Sequence, residues 1–310
     1  MQKQSSLKKN YYYRHYNLPP SFPSVAFLGD SWVLPDTPLE YLHFHNCIEI
    51  GHCLSGEGTL YIENKEYEFH AGDICFIPEN IAHISKSSFN QKSKWEYIYF
   101  NPSLLFEKNF ATNKLESLLV CSPHLSKVFP HSEEPYLHFL ISRMFAEFHE
   151  KGSNYQDSLR GLFLTLLTVM YRYIPEQFTE HNTNLQIHSA LLYIHKHYAE
   201  KLQIGEIASL CHLSEPHFRR KFLEVMHISP LDYINHLRIR TSCYEIYRNE
   251  KPLNLIAKEV GFTTLSSFNR QFHSLLGCSP TQWRKKLTFT KDHHEIVSLE
   301  DDSTKSFFTL

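Results

Sequence analysis

The sequence predicts an α+β protein of two domains, a small β-barrel with helices appended to it and an all-α half behind them. Three observations predict this. Hydrophobicity alternates with a period of two between Tyr41 and Ile84, changes to about 3.6 from Pro135 onwards, and is interrupted by one polar stretch, Pro175 to Asn184. A chain of 310 residues suits about two domains, each large enough to bury a core.

Within the first half, Thr59–Ile62, Tyr67–Phe69 and Ile74–Ile77 read as short strands. Between them, Ser55-Gly-Glu-Gly58, Glu63-Asn-Lys65 and Ala71-Gly-Asp73 supply residues that accept tight-turn backbone angles, at barrel spacing. Trp95 to Phe100 alternates strongly enough for a late barrel strand. Further on, Leu137, Leu140, Ile141, Met144, Phe145 and Phe148 fall on one helical stripe. Ser158 to Tyr173 is apolar on most sides, which buries it against the barrel, a neighbouring helix or a second subunit; the last option makes a homodimer. The expected organisation is a sensing and dimerisation domain at 1–174, a linker at 175–184, a helical domain at 185–287 and a loosely ordered tail at 288–310.

Several function classes are excluded by composition. The N-terminus lacks the apolar core of a signal peptide, and runs such as Leu162 to Leu167 are far short of a membrane span, so a cytoplasmic protein without a membrane partner is expected. The seven cysteines are scattered and form no Cys-x-x-Cys pair, which suggests neither a disulfide framework nor a zinc finger. No Gly-rich phosphate loop occurs. Net charge is only −2, but residues 184–287 carry 14 Lys and Arg against 8 Asp and Glu, leaving 17 against 25 elsewhere. A locally basic segment of this kind suits contact with phosphate.

The basic segment also repeats itself. Leu202 to Ser214 followed by Glu215 to Phe222, and Leu253 to Thr264 followed by Leu265 to Phe272, share a short helix with Ile-Ala, a tight turn, a Ser or Thr cap and a helix carrying Phe-x-x-x-Phe. This is a helix-turn-helix present twice. Phe218 with Phe222 and Phe268 with Phe272 anchor the core faces, which turns Arg219, Arg220, Asn269 and Arg270 outwards. Arg pairs with guanine and Asn with adenine in the major groove of double-stranded DNA. Ser214 and Thr264 stand at the helix starts, where a phosphate is favoured.

The segment Ile256-Ala-x-x-Val-Gly-Phe262, Phe268-x-Arg270-x-Phe272, Gly277-x-Ser-Pro280 and Trp283-Arg284, with Ser229 to Arg240 as the joining helix, resembles the AraC/XylS family of bacterial transcription regulators. The resemblance covers about a hundred residues and departs from the family at Ser242, Ile246-Tyr247 and Ser267. It implies base contacts from Pro216, Arg219 and Arg220 in the first motif and from Leu265, Ser266, Asn269 and Arg270 in the second. It also implies a homodimer, contact with RNA polymerase in an activator, and often a carbohydrate or related metabolite as small-molecule effector.

A second set of residues, in Tyr41 to Gly56, has the look of a catalytic metal site. His43, His45 and Glu49 share parity, so an unbroken strand would point all three to one face. With His83, Gly56, Gly72 and Pro78 they resemble the cupin barrel, in which a His-x-His, a Glu and a later His supply four metal ligands; Asn80 departs from that pattern. Three imidazoles and a carboxylate suit iron, manganese, zinc or nickel, so a divalent transition metal is the cofactor this set would hold. Histidine is abundant here, 21 residues, and a second His-x-His at His195 and His197 lies on a helix where it means nothing. The alternative use of His43, His45, Glu49 and His83, joined by Tyr61 and Trp95 from an aromatic wall, is hydrogen bonding to an organic ligand such as a sugar. The overall expectation is a regulator that activates in response to a small molecule. A metal-responsive regulator and a cupin metalloenzyme fused to a DNA-binding domain are the alternatives.

Overall fold

The computed structural model describes residues 10–29, 31–37, 41–106, 125–173, 187–226 and 228–285; the expected linker at 175–184 and tail at 288–310 lie outside the described residues. The first half is built from two sheets. One runs in the order β1 (Asn10–Arg14), β4 (Tyr41–His45), β9 (His83–Ser87), β6 (Gly58–Ile62) and β7 (Lys65–Phe69). The other runs β11 (Lys127–Phe129), β8 (Ile74–Ile77), β5 (Ile48–Ser55), β10 (Ser93–Phe100) and β2 (Ser24–Phe27), with β3 (Val33–Leu34) also on β10. Pairing is antiparallel except between β1 and β4, which run parallel. The expected barrel thus takes the form of two facing sheets, a double-sheet arrangement that covers inner faces without closing one ring.

Strand parity decides what lies between the sheets. Leu60, Ile62 and Phe69 from the first sheet meet Cys53, Cys75, Ile77, Trp95, Tyr97 and Tyr99 from the second in one buried cluster. The other parity of the second sheet, Ile48, Ile50, Ile74, Phe76, Ile98 and Phe100, lies under α2 (Pro135–Glu150) and α3 (Tyr155–Tyr171), which follow the single turn α1 (Pro102–Leu105). Both faces of β10 are covered, which is why Tyr97 to Phe100 is an unbroken apolar and aromatic run. Ser158 to Tyr173, with burial options open on sequence, packs on the sheet and on α2; Phe100 and Phe163 stack with ring centroids 4.3 Å apart. Each such buried side chain contributes roughly 1.5–3 kcal/mol. Gly56 is held at φ +86°, and a Cβ there would meet the Lys92 carbonyl oxygen at 2.6 Å.

The second half holds α4 (His188–His197), α5 (Ile204–Leu210), α6 (Glu215–Met226), α7 (Pro230–Arg248), α8 (Leu253–Glu259) and α9 (Leu265–Leu276). Helices α5–α6 and α8–α9 are the two helix-turn-helices, and α7 joins them. Phe218, Phe222, Phe268 and Phe272 are all fully buried, as the repeated Phe-x-x-x-Phe requires. Helix α7 starts where Ser229 Oγ accepts from the Asp232 N–H at 3.2 Å. Ser242, a departure from the family pattern, is buried but donates to the Ile239 carbonyl at 2.7 Å, so its hydroxyl is satisfied.

The halves touch through the outer face of the first sheet. Tyr13, Leu42 and Phe44 share a cluster with Ile239, Cys243, Ile246 and Trp283. Phe44 stacks on Trp283 at 6.2 Å between centroids, Tyr13 meets Tyr247 edge-on, and His15 lies against Tyr244 and Tyr247. Arg240 Nη2 donates to Glu63 Oε1 at 2.6 Å across the same contact. Among the described residues no helix is long and apolar enough to cross a membrane.

Candidate functional site

Two groups of residues carry chemistry. The first is the exposed face of α6 and α9. Burial of the Phe pairs leaves Arg219, Arg220, Asn269 and Arg270 exposed, together with Ser214, Pro216, Leu265 and Ser266. Thr264 caps α9, its Oγ1 accepting from the Ser267 N–H at 3.1 Å. At α6 the Ser214 carbonyl accepts from the Phe218 N–H at 2.8 Å, and Pro216 stands in the first turn, where its missing N–H costs no helix bond. Arg220 and Arg270 have no carboxylate partner among the described residues, whereas Arg219 donates from Nε and Nη2 to Glu215 Oε1 at 2.9 and 2.7 Å. Glu215 was not singled out on sequence, although an i, i+4 acid–arginine pair is a legible signal.

The second group lies between the two sheets. His43 and His45 are on β4, His83 faces His43 across the β4–β9 ladder, and Glu49 comes from β5 in the opposite sheet. The expected unbroken strand from His43 to Glu49 is not what forms. The chain leaves the first sheet after His45 and enters the second at Ile48, so three imidazoles from one sheet confront a carboxylate from the other. All four residues are buried, and one donor atom from each lies within 4.8 Å of all the others.

Their hydrogen bonds orient the rings. His45 Nδ1 lies 2.9 Å from the Cys47 carbonyl oxygen and His83 Nδ1 lies 2.9 Å from that of Ile81. A carbonyl only accepts, so both Nδ1 atoms carry a proton, and each Nε2 is the position that holds a lone pair in a neutral ring or donates to a carboxylate in an imidazolium. Those Nε2 atoms sit 3.1 and 3.4 Å from the same oxygen, Glu49 Oε2. His43 Nε2 accepts from Arg14 Nη1 at 3.3 Å, which leaves the buried Nδ1 of His43 without a partner. Burial holds the His43 and His45 imidazoles below their ordinary pKa, favouring the neutral ring. Burial alone would push the Glu49 carboxyl up, but the His83 and His45 rings beside it pull it well below the usual carboxylate range.

The remaining expected ligand residues go elsewhere. Trp95 is fully buried between the sheets, with Phe69 edge-on and Tyr97 stacked, and its Nε1–H donates to Ser93 Oγ at 3.0 Å. Tyr61 points the other way and packs on the cluster that joins the halves. In their place Tyr16 and Tyr99, stacked 4.1 Å apart, border His45, and Arg14 reaches His43. Parallel pairing sets Arg14 opposite His45 from far away in sequence, a relation no local pattern announces.

Comparison with known proteins follows the same division. A model described as an AraC-like ligand binding domain matches residues 29–117, and one described as a helix-turn-helix domain matches residues 207–286. The chain belongs to the AraC family. It is 23% identical over 239 residues to the Msm operon regulatory protein of Streptococcus mutans, spanning 76% of this chain and 82% of that one. It is also 23% identical over 242 residues to an HTH-type transcriptional regulator of Staphylococcus aureus, of whose longer chain it spans 31%. Among solved structures it is similar to fatty-acid-bound ToxT of Vibrio cholerae, with a TM-score of 0.46, 13% identity and coverage of 86% of this chain and 96% of that one. The DNA-binding domain of AdpA in complex with a target DNA is similar at a TM-score of 0.31 and 18% identity, covering 34% of this chain and 92% of that one. By the two family models, this AraC-family chain is a DNA-binding transcription regulator with a ligand-binding N-terminal domain.

Proposed function

We propose that the DNA binding of this regulator is set by a divalent transition-metal ion held by His43, His45, Glu49 and His83. The observation that carries the reading is the convergence of two Nε2 atoms on Glu49 Oε2, at 3.1 and 3.4 Å, each ring held by its Nδ1–H on a backbone carbonyl. A ring nitrogen and a carboxylate oxygen this close share a cation or a proton, and an imidazole whose far nitrogen is tied to a carbonyl is the usual preparation of a metal ligand. A bound ion would supply at the buried carboxylate the positive charge that a protonated imidazole supplies without it.

The organic-effector reading is less well served. A carbohydrate would have used Tyr61 and Trp95, but the first is turned to the other half and the second is enclosed by rings with its N–H committed. A route from the site to the DNA-binding half is built into β4. Its inward residues are His43 and His45, and its outward ones, Leu42 and Phe44, pack on Trp283 and α7. Any arrangement of the four donors that favours one packing of this contact shifts the population able to occupy two DNA half-sites. The reading includes a homodimer through α2 and α3, where Tyr136 and Phe139 are exposed at 54% and 63%, and activation through contact with RNA polymerase in the manner of an operon regulator.

Metal analysis of protein purified without chelator tests the site, and gel shifts on a pool of promoter fragments with and without chelator test its use. About one equivalent of transition metal, falling below about a tenth in His45→Ala, is expected, together with a DNA affinity that changes on chelation. Substoichiometric metal after incubation with zinc, manganese, nickel and iron, with DNA affinity unmoved, overturns the reading.

A further inference from the structure

The pairing of Glu215 with Arg219 has a geometry that a solvated surface ion pair does not need. Both donors that Arg219 commits, Nε at 2.9 Å and Nη2 at 2.7 Å, go to one oxygen, Oε1, so the guanidinium lies with its Nε edge against the carboxylate. The opposite edge, formed by Nη1 and the second N–H of Nη2, is uncommitted among the described residues. That edge carries two parallel N–H bonds, the fork that matches O6 and N7 of guanine. The carboxylate is itself seated. Its other oxygen, Oε2, lies over Gly205 in the second position of α5, where an added Cβ would stand 3.1 Å away, tighter than ordinary contact. Gly205 leaves the room that lets Glu215, the first residue of α6, turn back towards the neighbouring helix while holding Arg219 one turn on.

We propose that Glu215 is a positioning and specificity-determining residue for DNA recognition: seated over Gly205, it orients Arg219 so that the first helix-turn-helix reads a guanine. A carboxylate on a surface that meets phosphates opposes affinity, since it repels the backbone and offsets one arginine. Its return is in discrimination, because a guanidinium held in one plane loses less freedom on forming two base contacts than a free one. Arg220 and Arg270, without such a partner, are left to phosphate or to bases without this constraint. The two motifs of the chain therefore differ: the first reads through a braced arginine, the second through Asn269 and Arg270 behind the Thr264 cap.

The test is binding-site selection by the full-length protein from a random duplex pool, with and without added zinc or manganese, followed by titration of the selected duplex and single-base variants. Wild type is expected to select a guanine that Arg219→Ala no longer selects, and to prefer it over adenine by roughly tenfold, the worth of one paired contact. Glu215→Ala is expected to reduce that preference to about threefold or less while binding to unrelated DNA tightens. Glu215→Gln, which keeps the shape and one acceptor, should fall between the two. The double variant should discriminate no worse than Arg219→Ala alone, since Glu215 acts through Arg219. A thermal melt guards against misfolding: a surface ion pair of this kind supports the helix by only about 0.5 kcal/mol or less, so a merely structural role predicts a small change in the melt and none at one base. Selection of the same guanine at full strength by Glu215→Ala overturns the proposal. So does a wild-type consensus with no base that depends on Arg219, under either metal condition.

Discussion

Replacing Phe44 by alanine separates a docked two-domain molecule from two domains on a tether. Phe44 is 2% exposed, on the outward parity of β4, with the Trp283 ring 6.2 Å and the Tyr13 ring 5.4 Å away between centroids. If the halves dock in solution as they do here, truncation leaves a cavity under Trp283 and costs about 3–5 kcal/mol, the usual range for a buried Phe. If they do not, Phe44 is a surface ring and its loss stays within about 0.5 kcal/mol. Urea unfolding followed by tryptophan fluorescence reads the difference, because Trp283 is one of three tryptophans and lies in the second half. In a thermal scan the docked case corresponds to a fall in Tm of the order of 10 °C. Tyr13 also touches Phe44, so the decisive quantity is the coupling in a Phe44→Ala and Trp283→Ala cycle, expected near 1 kcal/mol for an aromatic pair. A coupling of zero refutes the docking, whatever Phe44→Ala costs alone.

Three other outcomes are expected. Zinc or manganese at about 100 times its Kd should stabilise the folded protein by about 2.7 kcal/mol in the melt, and Glu49→Gln should remove that gain. His195, tucked against Tyr233 with Nε2 2.8 Å from its hydroxyl, has its pKa pushed by burial from 6.5 down to about 4. Between those values the unfolded chain binds the proton and the folded one does not, so stability is full above about pH 6.5 and falls by about 3 kcal/mol as pH drops towards 4; acid unfolding of wild type against His195→Gln checks the slope. Thr264→Ala removes the α9 cap and should cost about 1 kcal/mol, while Arg270→Ala, if Arg270 meets a phosphate, should lower the slope of log affinity against log salt by about one, read by gel shift over a salt series.

Much of the DNA-binding half was legible because its signals are local. Phe218 and Phe222, or Phe268 and Phe272, are one helical turn apart, so their burial and the exposure of the arginines between them follow from the period of a helix. Thr264 announces its cap by type and position. The pairing of Glu215 with Arg219 is equally local, four residues apart, but an acidic residue does not announce itself as part of a DNA contact. The site between the sheets was legible in membership but not in construction. His43, His45, Glu49 and His83 do converge, yet parity relates residues along one strand only, and the chain crosses between sheets at Asn46 and Cys47. A crossing reverses what parity means, since the two sheets present their inner faces to each other. Tyr61 shows the cost of that gap: alternation placed it on a strand but could not say that its side of β6 faces the other half.

The sequence by itself determined the two periods, the duplicated helix-turn-helix, the family and the four residues that form the buried donor set, since each depends on neighbours within a turn or a ladder pairing. Only the tertiary structure decided which ring nitrogen of His45 and His83 faces a backbone carbonyl, that Arg14 reaches His43 from a parallel strand, and that Leu42 and Phe44 tie the same strand to Trp283. The physical reason is range. A hydrogen bond to a carbonyl two residues away is local but its direction is set by packing, and a contact between Phe44 and Trp283 spans most of the chain.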